Sequence, residues 1–360
     1  MSTQNNISKV EFITEANLDE LSLALFAHVD QVPRSSKKDP TKYSNQFKYS
    51  FLPRFVRGKN PPIPASDRTA TLTKERPFVQ DGVKYLLRLK PAIITNMDKN
   101  AKRNDYLKYP GSLEALIEEI LLVMATNGHL VKATVSQTVR YGVSFTYSDI
   151  RRELQKHGRT RSFTEVKTSL EVLRDSTAVL SPFERRGKEI NLDIFSTAIL
   201  DQEVRGRGAD KCFVFFSDQI VSLIDEMAYR QYNFSSTQEN DSDVARYLHR
   251  YIVNEFRSVS IVNDIVEVNA VHLLDMFGKN EVTKKSKQKD LKTAITLLME
   301  NGLVSNYRCK GEVYQICLTE KFIDEIIKSN AKRKGLITIK ERIESGEIAK
   351  IPPKQASLAF

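Results

Sequence analysis

Seven polar side chains between positions 283 and 292 have the types and spacing that contact with nucleic acid requires. They are Thr283, Lys284, Lys285, Lys287, Gln288, Lys289 and Lys292. An ammonium group neutralises a phosphate, whereas a glutamine amide can form two hydrogen bonds with the edge of an adenine. The cluster therefore predicts contact with DNA, with Gln288 reading a base and the lysines on the backbone. Each lysine taken singly is equally well explained as part of a solvated face.

The elements around this cluster predict how it is held. Apolar residues follow it at helical spacing on one stripe, namely Leu291, Ala294, Ile295, Leu298 and Gly302. Such a helix packs by its C-terminal half and presents its basic N-terminal half. An apolar helix over 268–277 and a turn at Gly278 precede it, and a hairpin turning at Lys310-Gly311 follows it. This order is typical of a winged helix, with Tyr307, Arg308 and Lys310 on the wing; the alternative is an ordinary helix pair and hairpin within a core.

The same outline occurs earlier in the chain, from Phe145 to Ile194. It predicts a helix capped by Tyr147 or Ser148, a turn at Gly158, a second helix and a hairpin turning at residues 187–188. The second helix has an apolar stripe of Phe163, Val166, Leu170 and Leu173. The corresponding DNA-contacting residues are Arg159, Arg161, Thr164 and Lys167, with Arg185, Arg186 and Lys188 on the wing. Two such outlines predict two similar domains in tandem.

Composition favours an anionic partner. The chain has 360 residues, a net charge of +10 and 41% hydrophobic residues, which is enough for two or three packed domains. Nucleic acid and an acidic membrane surface both fit this charge. Eleven lysines and arginines lie between Arg34 and Arg76, interspersed with five prolines. That stretch predicts a poorly ordered or extended arm, either a solvated linker or an arm that follows DNA.

Several classes of protein lack their signatures here. No apolar run is long enough to span a bilayer and no signal peptide is recognisable, so we expect a cytoplasmic protein without membrane contact. Cys212, Cys309 and Cys317 form no metal-ligand pattern and are expected to be reduced. The five histidines are scattered, and no phosphate-binding loop or nucleophile motif occurs. We therefore expect no enzyme, no metal and no cofactor.

These observations predict an α+β fold, predominantly helical, with two winged-helix domains in tandem. The expected divisions are an N-terminal extension with the basic, partly disordered arm (1–110), a first winged helix (111–236), a second (237–332) and a tail (333–360).

Three segments resemble the replication initiator proteins of iteron-containing theta-replicating plasmids. They are KCFVFFSDQIVSLIDEMAYRQYNFSS (211–236), DSDVARYLHRYIVNEF (241–256) and the run from Val266 to Val304. The resemblance covers roughly residues 147–329 and leaves the first hundred unmatched. In that family a strand and a helix close the first winged helix, and a helix with an ARYLHRYI-like run begins the second.

The resemblance implies a function. Such initiators bind tandem repeats at an origin, promote melting of the adjacent DNA, recruit the host initiator and replicative helicase, and in many cases repress their own gene as homodimers. The alternative is a winged-helix repressor or partition-type DNA-binding protein without a replication role. Strand cleavage or ATP hydrolysis would indicate an enzyme of nucleic-acid processing, and direct repeats beside the gene would favour the initiator.

Overall fold

The structure is a computed structural model, and it describes residues 7–12, 21–27, 43–66, 73–80, 82–97, 103–135, 137–182, 189–202, 211–261 and 264–347. Over these ranges the chain is a mixed α+β protein in which most buried apolar side chains join one continuous core. None of the helices in these ranges is long and apolar enough to cross a membrane. The same ranges contain no cluster of three or more potential metal ligands.

Seventeen strands are present in the described ranges. In chain order they are β1 (Ile7–Phe12), β2 (Tyr43–Phe47), β3 (Ile63–Pro64), β4 (Lys74–Gln80), β5 (Val83–Lys90), β6 (Ala92–Met97), β7 (Arg103–Lys108), β8 (Leu130–Val135), β9 (Thr138–Phe145), β10 (Thr177–Pro182), β11 (Ile190–Asn191), β12 (Phe195–Gln202), β13 (Lys211–Phe216), β14 (Tyr229–Asn233), β15 (Ile265–Asn269), β16 (Val304–Lys310) and β17 (Val313–Leu318). They form five sheets, in the orders β1-β8-β9-β13-β12, β11-β10-β5-β4, β14-β2, β15-β17-β16 and β3-β7-β6.

Ten α-helices accompany them in the same ranges. They are α1 (Leu21–Ala27), α2 (Ser112–Met124), α3 (Tyr147–Lys156), α4 (Phe163–Asp175), α5 (Asp218–Asp225), α6 (Phe234–Gln238), α7 (Asp243–Glu255), α8 (Ala270–Phe277), α9 (Lys284–Glu300) and α10 (Glu320–Glu344). A 3₁₀ turn, Lys48–Phe51, follows β2.

The C-terminal half contains the predicted order of elements. Helix α8 ends at Gly278, whose φ of +99° is the left-handed conformation that suits glycine, and α9 follows. Strands β16 and β17 pair antiparallel, and β17 also pairs with β15, so all three form one sheet. The hairpin turn lies one residue later than predicted, at Gly311-Glu312, because Lys310 and Val313 are paired in register.

The N-terminal half differs from the prediction in its hairpin. The predicted pairing is present but short, since β11 has only two residues paired antiparallel with β10, and the predicted turn at residues 187–188 lies outside the described ranges. The other edge of β10 pairs with β5, so these strands belong to the sheet β11-β10-β5-β4. The strand before α3, β9, is instead paired with β13, which forms its own hairpin with β12. The sequence outline missed this arrangement because it stopped at Ile194, before β12 and β13 begin.

Two details of the first helix pair also differ. The N-cap of α3 is Thr146, whose hydroxyl accepts a hydrogen bond from the Asp149 amide, and not Tyr147 or Ser148. Phe163, predicted on the buried stripe of α4, is 48% exposed and lies against the Tyr147 ring, because it is the first residue of the helix. Val166 and Leu170 are buried as predicted.

The described part of the basic arm, residues 43–66 and 73–76, is folded and not an extended linker. Strand β2 pairs with β14, and Phe47 and Phe51 lie in the core. Helix α1 is buried on every side, with Phe26 against Phe47 and Tyr229. Apolar residues spaced between the cations explain this burial, because they supply a core that charge counting does not detect. The arm's remaining predicted residues, 34–42 and 67–72, lie outside the described ranges.

The predicted tail is helical at its start. Helix α10 continues to Glu344, and residues 348–360 lie outside the described ranges. Ser329 of α10 donates a hydrogen bond to the Gln231 carbonyl on β14, and Lys340 donates one to the Asp225 carbonyl. Helix α10 therefore ties the C-terminal half of the chain to the N-terminal half.

Candidate nucleic-acid interface

Helix α9 is held at both ends of its buried stripe. The Thr283 hydroxyl caps the helix by accepting a hydrogen bond from the Ser286 amide. Leu291, Ala294, Ile295 and Leu298, four of the five stripe residues predicted from the sequence, are fully buried. Gly302 is not buried; it ends the helix with a φ of +68°. The core therefore fixes which face of α9 points outward.

The outward face of α9 carries three lysines. Lys285, Lys289 and Lys292 are exposed and lie on one side of the helix, since residues three and four apart are neighbours. No carboxylate in the ranges listed above lies within ion-pair distance of any of them. Further along this face the Thr293 and Thr296 hydroxyls donate to the carbonyls of Lys289 and Lys292. The three ammonium groups are therefore available to phosphates.

Two of the predicted contact lysines are engaged within the protein. Lys287 is buried and forms an ion pair with Asp275 of α8, because its position four residues before Leu291 places it on the core stripe. Lys284 is exposed, but its ammonium lies 2.9 Å from Glu312 in the hairpin turn. A hydrogen bond and charge attraction from Glu312 raise the pKa of Lys284. Lys287 thus joins α8 to α9 and has no free ammonium for DNA.

Gln288 fixes the hairpin to the helix. Its Nε2 donates to the Gly311 carbonyl at 2.9 Å, and the Tyr314 hydroxyl donates to the Gln288 carbonyl at 3.2 Å. The side chain predicted to read adenine therefore already uses an amide hydrogen inside the protein. These hydrogen bonds indicate that Gln288 positions the hairpin turn beside the exposed lysines of α9.

The hairpin adds two more exposed cations. Arg308 and Lys310 on β16 have no carboxylate within ion-pair distance among the residues described. Tyr307 is half-buried and stacks on Tyr314 with ring centroids 6.0 Å apart, which stiffens the hairpin. Cys309 and Cys317 are free thiols and are not opposite each other in the register. We call Lys285, Lys289, Lys292, Arg308 and Lys310 together the α9–hairpin surface.

The predicted contact residues of the N-terminal half are less available. Arg159 donates to Gln238 Oε1 at 2.7 Å and to the Asn240 carbonyl at 3.4 Å, so it holds the segment before α7. Burial and then the charge of Arg246 lower the pKa of Arg159. Arg159 is therefore a packing residue, and the prediction of a DNA contact there is not supported by its geometry.

The remaining predictions in this half have mixed positions. Arg161 and Thr164 are exposed, and Arg161 lies 3.9 Å from Glu165. Lys167 is half-buried. The predicted wing residues Arg185, Arg186 and Lys188 lie outside the described ranges. Among the described residues, only Arg161, just before α4, and Thr164, in its first turn, thus remain exposed candidates.

The sequence reading missed the arginines that support the α8–α9 turn. Arg76 donates to the carbonyls of Pro53 and Phe55 at 2.7 and 2.8 Å, and the Phe55 carbonyl lies against Gly278. The Arg57 guanidinium lies over the Phe277 ring, 4.5 Å from its centroid. The alternation of aromatic residues and arginines in FLPRFVR (51–57) is the sequence feature that could have predicted the burial of this stretch.

No protein-family model matches the sequence, and no curated protein matches it. Among solved structures, the chain is similar to two crystal structures of domains 2 and 3 of RctB. The selenomethionine derivative has a TM-score of 0.44 at 12% identity, covering 71% of this chain and 94% of the RctB chain. The second has a TM-score of 0.40 at 12% identity, covering 73% and 96%.

Proposed function

We propose that the protein binds duplex DNA through the α9–hairpin surface. The observation that carries this proposal is the face of three exposed lysines on α9, unpaired with any described carboxylate and flanked by Arg308 and Lys310. Helix α9 has a diameter that fits the major groove, and a hairpin beside it reaches the adjacent backbone. Without an anionic partner, the five cationic side chains of this surface contact only solvent.

We infer that residues 243–318 form a winged helix. Helices α7, α8 and α9 with the sheet β15-β17-β16 have the order and pairing of that motif. For the N-terminal half, α2, α3 and α4 with β9, β13 and β12 have a comparable order and pairing. The tandem arrangement is supported by the matched pairing of β9 with β13 and of β15 with β17.

Within DNA binding, we propose the role of a replication initiator that acts without catalysis of its own. The support is the sequence resemblance of residues 211–236, 241–256 and 266–304 to plasmid initiators. The expected partners are origin repeats, the host initiator and the replicative helicase. Footprinting on the DNA that flanks the gene tests this role: protection of several direct repeats about two helical turns apart is expected, and one protected operator would instead indicate a repressor.

The surface itself is tested with a triple variant, Lys285→Ala, Lys289→Ala and Lys292→Ala. Alanine keeps the helix, so the change removes charge without removing structure. Binding to a flanking DNA fragment is measured by fluorescence anisotropy across a salt series. Losing three phosphate contacts is expected to reduce the slope of log K against log salt by about 2.7.

The matched control removes the same charge elsewhere, with Lys90→Ala, Lys328→Ala and Lys334→Ala, all exposed residues outside the surface. This control should keep the wild-type slope. Equal loss in both variants would mean that binding follows net charge alone, and the assignment of the surface would then be wrong.

A further inference from the structure

A cleft away from the lysine face of α9 collects three arginines from separate parts of the chain. Its volume is about 330 Å³, and it lies between the 3₁₀ turn after β2, the end of α5, β14, the end of α7 and α10. The arginines are Arg230 on β14, Arg257 just after α7 and Arg333 on α10. Lys48 and Glu255 are the other charged residues of the lining, so its net charge is strongly positive.

Hydrogen bonds hold Arg230 and Arg257, but not every N–H group of the three arginines has an acceptor. Arg230 is buried and donates to Asn330 Oδ1, while Asn330 Nδ2 donates to the Arg257 carbonyl at 2.8 Å. The Nε atoms of Arg230 and Arg333 are buried and have no hydrogen-bond acceptor among the described residues. Buried donors of this kind are uncommon in folded proteins, because leaving one unpaired costs free energy.

The three guanidinium groups form no direct ion pair within the described residues, and the lining residue Glu255 is exposed. Burial, then the charges of Arg257 and Arg333, lowers the pKa of Arg230 to about 10, and the charge of Glu255 offsets only part of this lowering. Burial and the charge of Arg257 likewise lower the pKa of Arg333. An anion that entered the cleft would therefore relieve repulsion among the three arginines and accept hydrogen bonds from their unpaired N–H groups.

We propose that this cleft binds the phosphoryl group of a small phosphorylated ligand. Guanidinium groups match the geometry of phosphate oxygens and remain charged at neutral pH. The volume is at the lower end of the range for small-molecule sites, which suits pyrophosphate or a nucleoside monophosphate. Tyr49 and Leu223 provide an apolar wall for the part of the ligand that carries the phosphoryl group.

Binding there would join the two halves of the molecule. Arg230 belongs to β14 and the end of α5 lies beside it, whereas Arg257, just after α7, and Arg333 of α10 belong to the C-terminal half. A ligand that binds only the folded chain raises its stability according to its concentration. We therefore expect the contact between the two halves of the chain to become more stable as the concentration of the ligand rises.

The test uses thermal unfolding of the full chain with inorganic phosphate, pyrophosphate, adenosine monophosphate and, separately, a DNA duplex, each against sodium chloride at the same ionic strength. A saturable rise of the unfolding midpoint with at least one phosphate probe is expected. Arg257→Gln and Arg333→Gln should each weaken this binding by at least tenfold. Arg342→Gln is the matched control on α10, because Arg342 is exposed and lies 3.0 Å from Glu347.

The outcomes separate clearly. Tighter binding of adenosine monophosphate or pyrophosphate identifies an organic or condensed phosphate, and equal binding of inorganic phosphate identifies the free anion; both support the site. An equal midpoint rise with sodium chloride, or binding that survives in Arg257→Gln, overturns it. Stabilisation by a DNA duplex alone also overturns it. Arg257 is exposed, so that variant remains decisive even if Arg333→Gln fails to fold.

Discussion

Helices α4 and α9 are each the second member of a helix pair, yet only α9 presents a cationic face. The outward side of α9 has Lys285, Lys289 and Lys292 without described acidic partners. On α4, Arg174 is bound to its neighbour Asp175 through two hydrogen bonds of 2.7 Å. The same pattern of helix, glycine turn and helix thus supports two different surfaces, and charge pairing on the outward side distinguishes them.

The N-terminal segment, meaning the described residues of 53–66, 73–80 and 82–97, adds to this difference. Val172 of α4 packs against Ala92 and Ile94 of β6, so a strand covers part of the outward face of α4. In the C-terminal half the same segment packs against the α8–α9 turn instead, through the Phe55 carbonyl beside Gly278. The segment therefore covers one helix and supports the turn before the other. Four changes test this comparison.

The largest effect is expected from the two turn glycines. Gly278→Ala places a Cβ 2.5 Å from the Phe55 carbonyl and 2.9 Å from Arg76 Nη1, at a φ of +99°. Left-handed backbone and overpacking together should cost about 2–4 kcal/mol of unfolding free energy. Gly158→Ala is the matched change, with a φ of +69° and no atom within 4 Å, and should cost only about 1–2 kcal/mol.

Urea unfolding of both variants measures the difference. Equal destabilisation would mean that the N-terminal segment does not press on the α8–α9 turn. The comparison between the halves would then rest on the charges alone.

The next effect separates two lysines of α9 that lie two positions apart. Lys287→Met breaks the buried pair with Asp275, which should cost about 1–2 kcal/mol of stability and leave the salt slope of DNA binding unchanged. Lys289→Met should leave stability within about 0.5 kcal/mol but reduce the slope by about 0.9. Unfolding and anisotropy on both proteins check this, and the reverse pattern would exchange their roles.

This pair shows how far sequence reasoning reaches. The core stripe of α9 was predictable because helical spacing is local, and the same spacing places Lys287 on that stripe. Counting charge alone grouped Lys287 with the exposed lysines. What the spacing could not supply was Asp275 on another helix as its partner.

Long-range packing accounts for the other errors. The role of Arg76 depends on the carbonyls of Pro53 and Phe55 and on Gly278, and no local sequence pattern links these positions. Strand β13 likewise pairs with β9, some seventy residues earlier. Register between distant strands is set by the whole sheet, so the sequence could predict the short pairing of β10 with β11 but not the pairing of β9 with β13.

A smaller effect is expected at Gln288. Gln288→Ala removes the hydrogen bond to the Gly311 carbonyl, worth about 1 kcal/mol, and loosens the hairpin from α9. Affinity should fall to a similar extent on specific and random duplexes, since the residue positions Arg308 and Lys310 and does not read a base. Competition anisotropy with both duplexes checks this. A loss confined to the specific duplex would restore Gln288 as a reader.

The smallest effect is expected from the exposed candidates at the start of α4, Arg161 just before the helix and Thr164 in its first turn. Arg161→Ala with Thr164→Ala removes one cation that already lies 3.9 Å from Glu165, beside a helix whose Arg174 is paired with Asp175. An arginine beside a carboxylate contributes little net charge to a phosphate, so the salt slope should change by less than about 0.5, well below the value for a full contact. A change of about 0.9 or more, measured beside Lys289→Met on the same duplex, would show that α4 contacts the backbone as α9 does. In that case the first turns of α4 would enter a groove of the DNA even though β6 packs against Val172 further along the helix. Both halves of the molecule would then bind the same duplex.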